Sequence, residues 1–185
     1  AYATIMPRLV GNPVHHWSHL ELWRYFGLEG TVLSAETAER CWDAAGERLT
    51  QPEFGARGLL ERMKVELVGT TDDPLDTLEH HAAFAATGSS IRMVPTFRPD
   101  RAIGIEQAGF AGYVDALAEA SGMSIDGFDD LVRALEKRLD HFVEHGCRAS
   151  DHGINTLDLP DDAGAPDLDR ILRDVRRGRL PKSDE

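Results

Sequence analysis

Charged and polar side chains follow each of three apolar segments, and their types could do chemistry. Asp72 ends VELVGTTD, Arg98 follows IRMVPTF, and Asp151 and His152 follow GCRAS. Arginine presents a planar fork that fits a carboxylate or a phosphate, and an aspartate in a pocket can move a proton. Together these types suit a small acidic substrate. They suit the binding of an anion without reaction equally well.

Each of these positions also has a structural interpretation. Asp73 stands before Pro74, which is typical of a helix N-cap, and Asp100 could cap the following turn. Arg98 could be a structural ion-pair partner. Asp151 follows small residues and precedes no evident helix, so capping explains it less well.

The three apolar segments are predicted to be parallel strands, because they alternate with helical patterns. In such folds ligands bind where strands end and helices begin. The helix over 127–145 carries an apolar stripe and ends at Gly146. Further helices are predicted over 16–25, 34–49 with Ser34 as cap, 50–63 with Thr50 as cap, 73–86, 105–120 and 166–177. Residues 1–63 are therefore predicted to be helical and aromatic-rich, and 64–185 to be a β/α segment.

The histidines are interpreted first as structural residues. His15 and His19 are four apart and would share a helix face, as metal ligands do, but no third ligand has matching spacing. His80 and His81 are expected to be half exposed within a helix. The sequence contains no phosphate-binding glycine loop and no nucleophile elbow, and neither Cys41 nor Cys147 has the surroundings of a nucleophile.

Composition excludes several classes of function. The chain has 185 residues, 42% of them hydrophobic, and a formal net charge of -12. This charge disfavours nucleic acids and anionic membranes as partners. No apolar run approaches the roughly 20 residues of a membrane span, and no signal peptide is evident. Two cysteines fit a reducing compartment. A soluble bacterial protein of the cytoplasm is expected.

Four blocks together resemble the bacterial uronate isomerases (glucuronate isomerases) of the amidohydrolase superfamily. They are NPVHHWSHLELWRYFG, FGARGLLERMKVELVGTTDDPLDTLEHH, PTFRPD and LDHFVEHGCRASDHGINTL, in the family's order from about Gly11 to Leu157. The resemblance implies a (β/α)8 TIM barrel and an aldose-ketose isomerase of hexuronate catabolism. Such enzymes interconvert D-glucuronate with D-fructuronate and D-galacturonate with D-tagaturonate, usually with one divalent metal such as zinc.

The resemblance also assigns residues. It implies that Arg98, in the RPD motif, anchors the substrate and that Asp151, in the SDHG motif, transfers a proton. His152 and Asp72 are carried over as further pocket residues. The family's HxH metal pair is expected upstream of Ala1 and its other metal-site residues beyond Glu185.

The chain is accordingly expected to be the middle segment of the family's sequence, a partial α/β barrel with about three parallel strands and additional N-terminal helices. It is expected to bind no metal and to be inactive alone, because so few strands cannot close a barrel. Open sheet edges would allow a homo-oligomer. Two alternatives stay open: a non-catalytic anion-binding module of the same fold, and a different metal-dependent hydrolase of the amidohydrolase type.

Overall fold

The computed structural model describes residues 1–153 and 167–179. The chain forms two compact units, Ala1–Val65 and Glu66–Glu185. Within the described residues, no helix has the length and apolar character needed to cross a membrane.

The first unit is helical. Its helices are α1 (Tyr2–Ile5), α2 (Pro13–Phe26), α3 (Ala38–Leu49) and α4 (Ala56–Arg62), with 3-10 turns at Met6–Leu9 and Pro52–Phe54. The helix predicted over 16–25 is confirmed as the central part of α2. The Asn12 side chain caps α2 by accepting from the Val14 amide, and Gly27 ends it in the left-handed conformation (φ 71°).

Two predicted caps of this unit are wrong. Ser34 does not begin α3, because its amide donates to the Thr37 hydroxyl at 2.9 Å and delays the helix until Ala38. The Thr50 hydroxyl instead donates to the Glu47 carbonyl of the preceding helix at 2.8 Å. The segment predicted as one helix over 50–63 is therefore a 3-10 turn followed by α4.

The second unit contains a parallel two-stranded sheet. Strands β1 (Leu67–Asp72) and β2 (Arg92–Phe97) pair in register from Leu67 opposite Arg92 to Asp72 opposite Phe97. Both were predicted, and an α/β class is confirmed. The prediction of about three strands is wrong for the described residues, because the third is reduced to one parallel bridge between Phe97 and Ser150. Just past it, the Asp100 carboxylate accepts a hydrogen bond from the Gly153 amide at 2.7 Å.

The segment between β1 and β2 begins its helix later than predicted. The Asp73 carboxylate accepts from the Leu75 amide at 3.0 Å, and the Asp76 carboxylate accepts from the Leu78 amide at 2.6 Å. These local turns replace the first helical turns, so α5 spans Glu79–Ala85. The predicted half exposure of His81 is also wrong, since only 7% of this residue is accessible.

Four helices complete the described part of the second unit: α6 (Asp100–Ile103), α7 (Phe110–Ser121), α8 (Phe128–Glu144) and α9 (Leu168–Arg176). The helix predicted over 127–145 is confirmed as α8, whereas the one predicted over 105–120 begins only at Phe110. Asp167 caps α9, and the predicted start at Pro166 lies outside the described residues. The core joins α7, α8 and α9 through Tyr113, Val114, Leu117, Leu131, Ala134, Leu172 and Val175.

Gly146 ends the turn after α8 with a positive φ of 93°, and a Cβ there would lie 3.3 Å from Val94 Cγ1. Gly146→Ala should therefore destabilise the protein by about 1–2 kcal/mol, from strained backbone and crowding. Gly112 lies inside α7 with open space around it, so Gly112→Ala should gain about 0.5–1 kcal/mol. Urea unfolding of both variants measures the difference, and equal effects would contradict it.

Candidate functional site

Arg98 and Asp151 form a two-pronged ion pair at the carboxyl end of β2. Arg98 Nε donates to Asp151 Oδ1 at 3.0 Å, and Arg98 Nη2 donates to Asp151 Oδ2. The backbone places both residues: the Arg98 amide donates to the Asp72 carbonyl at 3.0 Å, and the Asp151 amide donates to the Phe97 carbonyl at 3.3 Å. The side chains are 36% and 40% exposed, so solvent and ligands reach the pair.

The pair sets the charge state of both groups. The hydrogen bond from Arg98 is the main cause that lowers the pKa of Asp151, and the same bond raises the pKa of Arg98. Asp151 is therefore ionised at neutral pH, and both of its carboxylate oxygens accept hydrogen bonds from Arg98. An anion that took the Arg98 fork would remove the main cause of that lowered pKa.

His152 lies beside the pair through Asp100. His152 Nδ1 is 3.2 Å from Asp100 Oδ1, and Arg98 Nε is 3.9 Å from Asp100 Oδ2. Asp100 is the first residue of α6, and its carboxylate binds His152 and the Gly153 amide. Asp100 was predicted as a charge at a strand end that could cap the following turn, and its contact with His152 was not predicted. Its position two residues after Arg98 at the same strand end was the available signal.

Asp72 reaches this cluster only with its main chain. Its side chain is 11% exposed and accepts a hydrogen bond from the Thr70 hydroxyl at 2.6 Å. His81 Nε2 lies 3.7 Å from Asp72 Oδ2. The carboxylate is thus engaged within the sheet and against α5, and a direct role in a pocket stays a prediction.

A second group of side chains flanks the strand ends. The Arg101 guanidinium lies 4.5 Å from the centre of the Tyr113 ring, and Arg101 Nη1 is 3.9 Å from Asp73 Oδ2. Burial and the Asp73 charge raise the pKa of Tyr113. The phenol is therefore protonated at any physiological pH.

The nearest cavity is adjacent to the pair but does not include it. It has a volume of about 530 Å³ and is lined by Phe97 of β2, Pro99, two apolar side chains of α8, residues 147–150 and His152. Arg98 and Asp151 are absent from its lining. The ion-pair geometry is therefore the better guide to a site than the cavity.

The family follows from comparison with known proteins. A family model described as glucuronate isomerase matches residues 1–185. The chain belongs to the glucuronate isomerase family. The resemblance seen in the sequence blocks is thereby confirmed.

Relatives of this chain are longer than it is. Uronate isomerase of Yersinia enterocolitica is 46% identical over the whole chain, which covers 39% of that protein. Uronate isomerase of Salmonella newport is 50% identical over 93% of the chain, covering 37% of that protein. The chain thus spans about two fifths of the length of these relatives, as expected of a segment. Its placement in the middle of the family's sequence stays a prediction.

Solved structures agree with this family assignment. The chain superposes on uronate isomerase of Thermotoga maritima with a TM-score of 0.81 and 38% identity, covering 98% of this chain and 40% of that one. Against glucuronate isomerase of Caulobacter crescentus the TM-score is 0.79 with 26% identity, over 96% and 36% of the two chains. Both neighbours carry the activity of the matched family in their names.

In the described part of the chain, no three His, Cys, Asp or Glu side chains converge to hold a metal ion. His19 uses both ring nitrogens, with Nδ1 2.6 Å from the His15 carbonyl and Nε2 accepting from the Leu33 amide at 2.9 Å. His19 is therefore a structural histidine. The described residues do not fit a metal centre.

Proposed function

We propose that this chain supplies substrate-binding and proton-transfer residues to a longer uronate isomerase. The reaction is the aldose-ketose isomerisation of hexuronates, D-glucuronate to D-fructuronate and D-galacturonate to D-tagaturonate. Family membership supports the reaction class. The observation that carries the residue roles is the two-pronged Arg98–Asp151 pair at the end of β2.

The longer protein is proposed to be a cytoplasmic bacterial enzyme with a (β/α)8 barrel. The parallel β1 and β2, the helix between them and the bridge at Ser150 support a partial barrel in the described part of the second unit. A divalent metal, zinc, belongs in this proposal to parts of the enzyme outside the described residues. Assembly into a homo-oligomer stays a prediction.

Arg98 would hold the carboxylate of the sugar. In the structure the Asp151 carboxylate accepts two hydrogen bonds from the guanidinium fork, and this two-pronged geometry is the one in which a sugar carboxylate would bind. The carboxylate and the reacting carbons lie at opposite ends of an open-chain hexuronate. Arg98 must therefore turn away from Asp151 for both residues to engage one sugar.

Asp151 would move the proton between the carbons. Its carboxylate takes the proton from C2 of the aldose while the C1 carbonyl oxygen gains a proton from solvent, which gives the enediol. The proton then returns from Asp151 to C1 as the C2 hydroxyl loses its own proton to solvent and becomes the ketone. When the substrate carboxylate holds Arg98, the main cause of the lowered pKa of Asp151 is removed. The pKa of Asp151 then rises, and the carboxylate becomes a stronger base when substrate is bound.

Arg98→Met should raise KM for both hexuronates by roughly ten- to hundredfold in the full-length enzyme, because charge-assisted bonds to the carboxylate are lost. Arg98→Lys should restore part of this affinity, since lysine keeps the charge without the fork. Steady-state kinetics on both sugars measures the change.

The matched control is Arg133→Met. Arg133 pairs with Asp130 on α8 and is 61% exposed, so its loss should leave KM unchanged. An unaltered KM in Arg98→Met would reject the anchoring role. A protein that binds hexuronates without converting them would instead support the anion-binding alternative.

A further inference from the structure

A buried chain of hydrogen bonds joins α5 to the end of β1. His81 Nε2 lies 2.6 Å from Thr70 Oγ1, and Thr70 Oγ1 donates to Asp72 Oδ2 at 2.6 Å. A threonine hydroxyl has one proton, and the charged Asp72 carboxylate at 2.6 Å is a better acceptor for it than the Val94 carbonyl at 3.3 Å. With that proton on the Asp72 side, the contact of Thr70 with His81 is a hydrogen bond when His81 carries a proton on Nε2. Donation then runs from His81 to Thr70 to Asp72.

Asp72 in turn holds β2 on both sides of Phe97. Asp72 Oδ2 accepts from the Thr96 amide at 3.4 Å, and the Asp72 carbonyl accepts from the Arg98 amide at 3.0 Å. The Phe97 carbonyl accepts from the Asp151 amide at 3.3 Å. The conformation of Asp72 therefore bears on the backbone of both members of the Arg98–Asp151 pair.

The network lies close to an apolar cluster. Leu78, the residue before α5, packs with Phe97 of β2 and Phe142 of α8 in the buried interior. Side chains of His81 and Asp72 are only 8% and 11% exposed. Polar groups in such an interface lose hydration, and apolar side chains would pack without that loss. Packing alone does not account for a histidine, a threonine and an aspartate at these positions.

We infer that His81 is a positioning residue for the reaction proposed above. It acts through Thr70 and Asp72 to fix the end of β1, and thereby sets the direction in which Arg98 presents its fork to the sugar carboxylate. His81 itself touches no substrate. The expected change in KM rests on the proposed function. The expected effect on the backbone at the end of β1 rests on the hydrogen bonds alone.

The kinetic test uses two substitutions at His81 in the full-length enzyme. His81→Leu removes the donor to Thr70 and should raise KM for hexuronates about tenfold or more, since small misplacements of positioning groups have effects of that size. His81→Gln places an amide nitrogen where Nε2 stands and should restore KM to within about threefold of wild type. Thr70→Val should resemble His81→Leu.

The neighbouring His80 provides the control, because its side chain is 87% exposed. His80→Leu should leave KM unchanged. A purely structural role for His81 would lower thermal stability in both His81 variants without changing KM in the folded fraction. That result would overturn the inference.

A double substitution tests the route through Arg98. His81→Leu should add little to the rise in KM already caused by Arg98→Met, because both remove the same interaction. Fully additive effects would show that His81 acts elsewhere.

Amide hydrogen exchange separates this inference from the proposed function. Exchange at 96–98 and 149–151 should accelerate in His81→Leu and Thr70→Val, and not in His81→Gln or His80→Leu. If the wild-type enzyme converts neither hexuronate, the proposed function fails. Hydrogen exchange alone then decides whether His81 fixes the backbone at the strand ends. Unchanged exchange in His81→Leu would overturn the inference whatever the activity.

Discussion

Asp151→Asn should lower kcat of the full-length isomerase by about two to four orders of magnitude, the usual range for loss of a general acid-base group. Asparagine has the same shape and can still accept a bond from Arg98, but it cannot take a proton. KM for the hexuronates should stay within a few-fold of wild type. Steady-state kinetics with D-glucuronate and D-galacturonate measures both parameters.

The pH profile provides a second measure of the same role. Because Arg98 lowers the pKa of Asp151 in the free protein, the carboxylate should be ionised throughout the neutral range. The fall of kcat/KM in acid that protonation of Asp151 causes should accordingly occur at a pH below the ordinary aspartate pKa of about 3.9. The value of kcat reports ionisation in the enzyme–substrate complex. The fall of kcat in acid should therefore occur at a higher pH than the fall of kcat/KM.

Asp115→Asn is the matched control for this carboxylate. Asp115 also pairs with an arginine, Arg176, and is 67% exposed on α7. Its replacement should leave both kinetic parameters unchanged. If Asp151→Asn retained kcat within a few-fold, Asp151 would be the counter-ion of Arg98 and another group would move the proton.

The elements that the sequence predicts best are those with an unambiguous local pattern. β1 and β2 are apolar runs that stop at polar residues, and α8 has an apolar stripe ended by a glycine. The start of α5 could not be placed by pattern alone. Asp73 and Asp76 each bind an amide two residues on, and proline after aspartate is equally typical of a helix start.

The sequence was sufficient to predict which residues belong to the candidate site. It was not sufficient to predict how their side chains contact each other. The ends of parallel strands lie at one edge of a sheet, which was sufficient to group Arg98 with Asp151 and His152. The ion pair joins residues 53 apart in sequence, so tertiary structure alone decides that the two side chains bind each other. His81 was predicted to be half exposed, because the pattern of its helix carries no information about Thr70, the residue on β1 that it contacts.

The largest expected loss of stability concerns Arg138, which lies on α8 and is 9% exposed. Its Nε donates to the Pro74 carbonyl at 2.6 Å, its Nη2 to the Asp76 carbonyl at 2.7 Å, and its Nη1 to the Ala120 carbonyl at 3.3 Å. Burial lowers the pKa of Arg138, and the Asp76 charge opposes this effect. One side chain thus satisfies three main-chain acceptors.

Arg138→Met should lower the free energy of unfolding by about 3 kcal/mol or more, because each carbonyl left without a donor costs about 1–3 kcal/mol. Arg138→Lys should recover little of this, since a single ammonium group cannot span acceptors on α7 and on the loop after β1. Arg133→Met, on the exposed side of the same helix, should stay within about 0.5 kcal/mol of wild type. Urea unfolding measures all three variants.

Hydrogen exchange locates the effect of Arg138→Met within the second unit. Two of the three carbonyls belong to residues 74 and 76, in the turns that connect β1 to α5. Their release should speed exchange of the Leu75 and Leu78 amides, which the Asp73 and Asp76 carboxylates now hold. A stability close to wild type would mean that other donors replace the guanidinium. In that case the turn after β1 owes its conformation to those two aspartates and not to Arg138.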